Sequence, residues 1–159
     1  MRCFPASAAA LLILCFLSIS GTSARTQAAF HAPQSEPERA LEKILRRADR
    51  DTQLLDNLLQ GRGAKNLRPT FRYESLLTPG LIEAIRVQEK ALVTKDCKGR
   101  YRDGEICGLD YSPITCGQDS PKRYEFRTLQ AEPNMTKIDF RWPGGKTAAT
   151  YRLAKADGT

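Results

Sequence analysis

Histidine is almost absent from this chain, and the single one, His31, lies ahead of the first stretch with helical patterning. That scarcity excludes the commonest nucleophile machinery, because serine triads and cysteine dyads both need an imidazole base beside the nucleophile. It also removes the usual nitrogen ligand of catalytic zinc. The three cysteines beyond the N-terminal run, Cys97, Cys107 and Cys116, contain no close C-x-x-C pair, so a disulfide is expected of them rather than a metal. No cofactor is expected. Gly144-Gly145-Lys146-Thr147 ends like a phosphate-binding loop, but Phe140 stands where that motif has its first glycine, and strand-like residues follow. It reads as a hairpin turn. Long blocks of one charge sign are missing too. The basic residues are dispersed (Arg46 to Arg68, Lys95 to Arg102, Lys122-Arg123), so the net charge of +7 describes a solvated surface, and no nucleic-acid partner is expected.

Long hydrophobic runs are equally scarce. One exists, residues 8–19, about a dozen apolar positions preceded by Arg2. A spanning helix needs about 20 such residues, whereas this length is that of an export signal. Thr22-Ser23-Ala24 supplies the small-x-small cleavage pattern, so residues 1–24 are expected to leave as a signal peptide. Leu14 precedes Cys15 where a lipoprotein signal wants a small residue, which argues against lipidation. The mature chain of about 135 residues suits one domain with its own core, periplasmic or secreted, with no stable membrane span. An oxidising compartment then favours a disulfide among the remaining cysteines.

Within that domain, residues 25–34 lack periodicity and read as a flexible leader. Ser35-x-x-Glu38 fits a capping box with Pro37 tolerated in the first turn. Leu41, Ile44, Leu45, Ala48, Leu55, Leu58 and Leu59 follow at three- and four-residue steps, which predicts a helix over 36–60, with a kink where Asp51 and Thr52 interrupt the stripe and a stop at Gly61. Residues 61–68 read as a basic loop and 70–77 as a helical turn. Thr78-Pro79 opens another helix with Leu81, Ile82, Ile85 and Leu92 on its buried face. Residues 95–122 read as a long ordered loop.

Past that loop the period changes to two. Residues 124–131 read as a strand. In 137–142, Ile138, Phe140 and Trp142 are expected to face the helices while Lys137, Asp139 and Arg141 face solvent. Pro143 to Lys146 turns the chain, and 147–156 returns with Ala149, Tyr151 and Leu153 on one face. Asn134-Met135-Thr136, a glycosylation sequon in form, reads as the turn between strands. Helices followed by a strand meander make the class α+β. Asp157-Gly158 is a hairpin signal just before the last residue, so a final strand is expected to be missing from this sequence.

Carboxylates Asp103, Glu105, Asp110 and Asp119 cluster in the cysteine loop. In a Gly-rich polar loop they are read as turn formers rather than as an acid–base pair, and no catalytic residue is assigned.

The segment Gly108-Leu109-Asp110-Tyr111-Ser112-Pro113-Ile114-Thr115-Cys116-Gly117-Gln118-Asp119, preceded by Leu77-Thr78-Pro79-Gly80-Leu81, resembles a family of exported bacterial proteins known as domain of unknown function 3828. That family shows an L-T-P-x-L helix start, an L-D-[FY]-D-P segment, a Q-D pair and then a strand meander. Here Ser112 stands where it more often has Asp. The resemblance runs from Phe71 to the C-terminus and implies a nuclear transport factor 2-like (cystatin-like) cone, with helices packed into a curved sheet. It also implies Asp110, Tyr111, Gln118 and Asp119 as binding-loop residues. A disulfide between Cys107 and Cys116 would bracket the segment and leave Cys97 over, with Cys97–Cys116 as the alternative. The expected function is an exported, non-enzymatic binding or interaction domain for an envelope protein or small ligand. The alternatives are a toxin-immunity or enzyme-inhibitor protein, and a small cone-fold hydrolase or isomerase.

Overall fold

The structure, a computed structural model, describes residues 28–59, 70–102 and 104–155. The signal-peptide segment, the Gly61 stop, the basic loop at 61–68, Asp103 and Asp157-Gly158 lie outside the described residues.

Helix α1 (Glu36–Arg50) starts at the expected capping box: the Ser35 hydroxyl accepts from the Glu38 backbone N–H, and the Glu38 carboxylate accepts from the Ser35 N–H. The stripe breaks at Asp51, whose carboxylate accepts from the Gln53 N–H, the Asn57 amide and the Tyr73 hydroxyl. A side chain that bonds nearby backbone competes with helix continuation, and the chain resumes as the short α2 (Leu54–Leu59) after a turn. A 3₁₀ turn (Tyr73–Ser75) leads into α3 (Pro79–Cys97), capped by the Thr78 hydroxyl. Helix α3 runs beyond Lys95, where a loop was expected, and closes where Lys98 adopts a left-handed φ of 54° and Gly99 donates back to the Val93 carbonyl. Its buried row is Ile82, Ile85, Glu89, Val93 and Cys97, while Leu81 and Leu92 are only half-buried.

Strands β1 (Glu125–Glu132), β2 (Met135–Arg141) and β3 (Thr147–Ala154) form an antiparallel meander in the order β1-β2-β3. The register aligns Phe126 with Phe140 and Ala149, and Ile138 with Thr128 and Tyr151, on the face turned to the helices. Leu41, Leu45 and Ala48 of α1, Ile82 and Ile85 of α3, and Tyr124, Phe126, Ile138 and Phe140 join in one buried cluster. Tyr151 stacks on Phe140, and Tyr124 meets it edge-on. Hydrogen bonds from Thr128 to Glu38 and from Tyr124, the residue just before β1, to Asp49 fasten α1 to this part of the chain near both of the helix's ends. The class is α+β, with helices followed by a three-stranded sheet.

Two expectations are corrected on the far face of that sheet. Asp139 does point away from the helices, yet it is only 4 % exposed. Arg127 and Thr150, its cross-strand neighbours, both bond its carboxylate. Beside it Arg141 is half-buried and pairs with Glu125 at 2.8 Å. The leader is not loose throughout either. His31 exchanges two backbone hydrogen bonds with Phe126 (2.9 and 2.7 Å), and the Phe30 ring lies under the guanidinium groups of Arg127 and Arg141. A period of two fixes which face a strand residue takes; it does not reveal what covers that face.

Candidate functional site

The loop between α3 and β1 is held by a carboxylate and a disulfide. Glu89, buried on α3, accepts from the Leu109 N–H at 2.6 Å and from the Tyr101 hydroxyl at 2.7 Å. Gly108, at φ +82°, lies so close that a Cβ there would come within 2.3 Å of the Glu89 carboxylate. Only glycine meets both demands, the left-handed backbone and the missing side chain. Cys107, one residue earlier, is bonded to Cys97 with Cα atoms 5.7 Å apart. This corrects the expected Cys107–Cys116 pairing: because α3 extends to residue 97, its last turn lies directly under the loop.

Further along, Ser112 and Gly117 form an isolated bridge, with the Ser112 N–H donating to the Gly117 carbonyl and the Cys116 N–H to the Ser112 carbonyl. The Ser112 hydroxyl accepts from the Thr115 N–H at 3.0 Å, the turn-closing bond an aspartate would make at this position. Cys116 takes a left-handed φ of 58°. The Trp142 ring lies on Gly117, where a Cβ would fall 2.2 Å from the ring's Cζ2. Tyr151 fastens the turn to the sheet through its hydroxyl, which donates to the Ile114 carbonyl.

Between this loop and the α1–α2 corner lies a cleft of about 410 Å³. Asp110, Tyr111, Gln118 and Asp119 are all among its lining residues. The Gln118 amide donates to Asp110 at 3.0 Å, and the Tyr111 hydroxyl accepts from the Gln88 amide at 2.6 Å. Asp119 is exposed. The opposite wall carries Asp49, Asp51 and Asp56, which sequence reading did not connect with the loop. Asp51 appeared in the sequence only as an interruption of the apolar stripe, and a buried Glu89 was legible as a charge at helical spacing from Ile82 and Ile85. Tyr111, Gln118 and Asp119 also line a second hollow of about 580 Å³, floored by Trp142 and the β2–β3 turn.

The aspartates of the helical wall are partly engaged. Asp49 accepts from the Tyr124 hydroxyl at 2.9 Å and lies near Arg46, and Asp51 accepts from Tyr73. Burial first, and then the neighbouring carboxylate, pushes the Tyr73 and Tyr124 hydroxyls well above the ordinary tyrosine range, so both remain donors. Burial does the same for Tyr151. None of these three tyrosines lines the cleft, and neither does His31. Among the described residues one set of side chains could hold a metal ion: ligand atoms of Cys97, Glu105 and Cys107 lie within 4.8 Å of one another, with the two cysteines joined as a disulfide. No helix of the described residues is long and apolar enough to cross a membrane.

No family model, curated protein or solved structure matches the chain.

Proposed function

We infer that this chain is an exported, non-enzymatic binding domain, and that its partner, an envelope protein or a small ligand, occupies the cleft between the α1–α2 corner and the cysteine loop. The observation that carries this reading is convergence. Asp110, Tyr111, Gln118 and Asp119, singled out by their motif, line one cleft. The loop that presents them is braced by Glu89, by the Cys97–Cys107 bond and by Tyr151. A rigid frame for exposed polar groups suits recognition, because little ordering entropy is lost on binding. Among the described residues the cleft has no imidazole; Tyr111 and Asp110 are held by Gln88 and Gln118, Asp49 and Asp51 by Tyr124 and Tyr73, and Asp119 is exposed, which favours recognition over acid–base turnover. Membership of the domain 3828 family and its cone-shaped layout belong to the same proposal, supported by the order of helices and meander.

The test is photo-crosslinking in the exporting cell, with a reactive residue at Gln118 and a control at Arg152, which is exposed on β3. A discrete adduct from position 118 and none from 152, lost when Asp119→Asn is added, supports the reading. Equal capture at both positions, or none at 118, overturns it.

A second reading, an inhibitor or immunity protein, draws on Ile106. This side chain is 78 % exposed beside the disulfide, and a braced loop with an apolar tip is suited to plugging another protein's pocket. Loss of partner capture in Ile106→Asp, with Asp119→Asn unaffected, would favour it over the cleft.

A further inference from the structure

We propose that, once the Cys97–Cys107 bond is reduced, Cys97, Cys107 and Glu105 bind a thiophilic divalent cation, with zinc the best match. The inference stands apart from the cleft and its partner.

The donor set has the right chemistry and spacing. Two thiolates and one carboxylate with an open fourth position form an ordinary zinc set with water completing it. Tetrahedral bonds of about 2.3 Å to sulfur and about 2.0 Å to oxygen place sulfur and oxygen about 3.5 Å apart and the two sulfurs about 3.8 Å apart. The Cys97 sulfur is already 3.7 Å from Glu105 Oε2. The Glu105 side chain is half exposed, and its other contact is a surface pair with Arg102 at 3.4 Å, so it can turn toward the sulfurs at little cost. With Cα atoms 5.7 Å apart, the two sulfurs can separate by side-chain rotation alone.

The site is also held in place without the covalent bond. Cys97 ends α3, and the loop just past Cys107 is pinned by Glu89, which bonds Leu109 and packs against Gly108. Opening the disulfide therefore leaves both sulfurs near their present positions, buried, with the carboxylate at the rim.

The chemistry balances. A small dithiol gives two electrons and two protons to the Cys97–Cys107 bond and closes its own disulfide. The two protein thiols then lose their protons to solvent as the metal binds. Metal binding is thus favoured by rising pH and opposes reoxidation, because the cation binds only the reduced form.

The experiment uses the full chain with Cys3→Ser, Cys15→Ser and Cys116→Ser, leaving only the two cysteines at issue. The protein is reduced with a phosphine, desalted without oxygen and titrated with Co²⁺ as a spectroscopic substitute for Zn²⁺. The expected result is a thiolate-to-cobalt charge-transfer band that saturates at one equivalent, is erased by Zn²⁺, and is absent from the disulfide form. Glu105→Gln should weaken cobalt binding about tenfold or more while keeping the band per bound ion; Cys97→Ser should abolish the band. Zn²⁺ should raise the melting temperature of the reduced chain and not of the oxidised one. The proposal is overturned by a missing or non-stoichiometric band, by unchanged affinity in Glu105→Gln, or by loss of native circular dichroism on reduction before any metal is added.

Discussion

Gly108→Ala and Gly104→Ala make the same chemical change at nearly the same backbone angle, φ +82° and φ +80°, and differ in what the new methyl meets. At Gly104 there is nothing within 4 Å. Its replacement should cost only the left-handed penalty, about 1–2 kcal/mol. At Gly108 the new Cβ falls 2.3 Å from Glu89 Oε1 and 2.5 Å from Oε2. Ordinary contact requires the carboxylate to retreat by about an ångström, which breaks its bonds to the Leu109 N–H and the Tyr101 hydroxyl. A buried polar group left unsatisfied costs about 1–3 kcal/mol, so Gly108→Ala should destabilise by about 3–4 kcal/mol in all. Urea unfolding, followed by the fluorescence of Trp142, the chain's sole tryptophan, measures both variants. The double-mutant cycle is the sharper assay. In a Glu89→Ala background the methyl has room, and Gly108→Ala should fall back to the Gly104 value, a coupling of about 2 kcal/mol. Equal costs for the two glycines in the native background, or a cycle with no coupling, would refute the view that Glu89 holds this loop.

Phe140→Ala should cost about 3–5 kcal/mol, and Asp139→Ala about 3 kcal/mol, because Arg127 loses its partner in a mostly buried pair; thermal or urea melts that put Asp139→Ala within about 0.5 kcal/mol of the parent would return it to the solvent-facing class. Acid should weaken the start of α1. Burial raises the Glu38 pKa, but the Ser35 and Gln34 N–H groups, the Thr128 hydroxyl and nearby His31 more than offset that and hold it below its ordinary 4.5. A carboxyl depressed in the fold stabilises fully above its unfolded pKa and loses that contribution as pH falls through the folded one, so stability should decline below about pH 4.5 with a shallower slope in Glu38→Gln. Peptide mapping without reductant should recover Cys97 joined to Cys107, and replacing both by serine should cost about 2.7 kcal/mol on the chain-entropy model for a loop of this length.

Local signals carried most of the fold. The capping box at Ser35, the Thr78-Pro79 start, the break at Asp51 and the two-residue alternation of β2 all depend on residues within one turn or one pleat of each other; the helix starts and the break stand where they put them, while β2 begins two residues early, at Met135, so that Met135 and Thr136 of the expected turn belong to the strand. The site was legible along one wall only. Asp110, Tyr111, Gln118 and Asp119 belong to one contiguous segment, whereas Asp49, Asp51 and Asp56 reach the cleft because the α1–α2 break folds that corner against a loop some sixty residues later. Long-range placement also decided the disulfide: cysteine spacing alone permits three pairings, and the length of α3 selects among them. Asp139 and Phe30 were misjudged for a related reason, since strand periodicity carries no information about an N-terminal segment that returns to lie on the sheet.

Among the described residues, that returning segment gives the β1 edge of the sheet a property that the β3 edge does not share. A strand with one neighbour presents a row of unpaired N–H and C=O groups to any other extended chain, which is how edge-to-edge aggregation begins. By taking both backbone groups of Phe126, His31 occupies part of that row, and Phe30 covers the arginine pair beside it. Shortening the chain to begin at Ser35 would keep every helix and strand while opening this edge. Self-association rising with protein concentration, with little change in the fold, is the failure such a truncation should display.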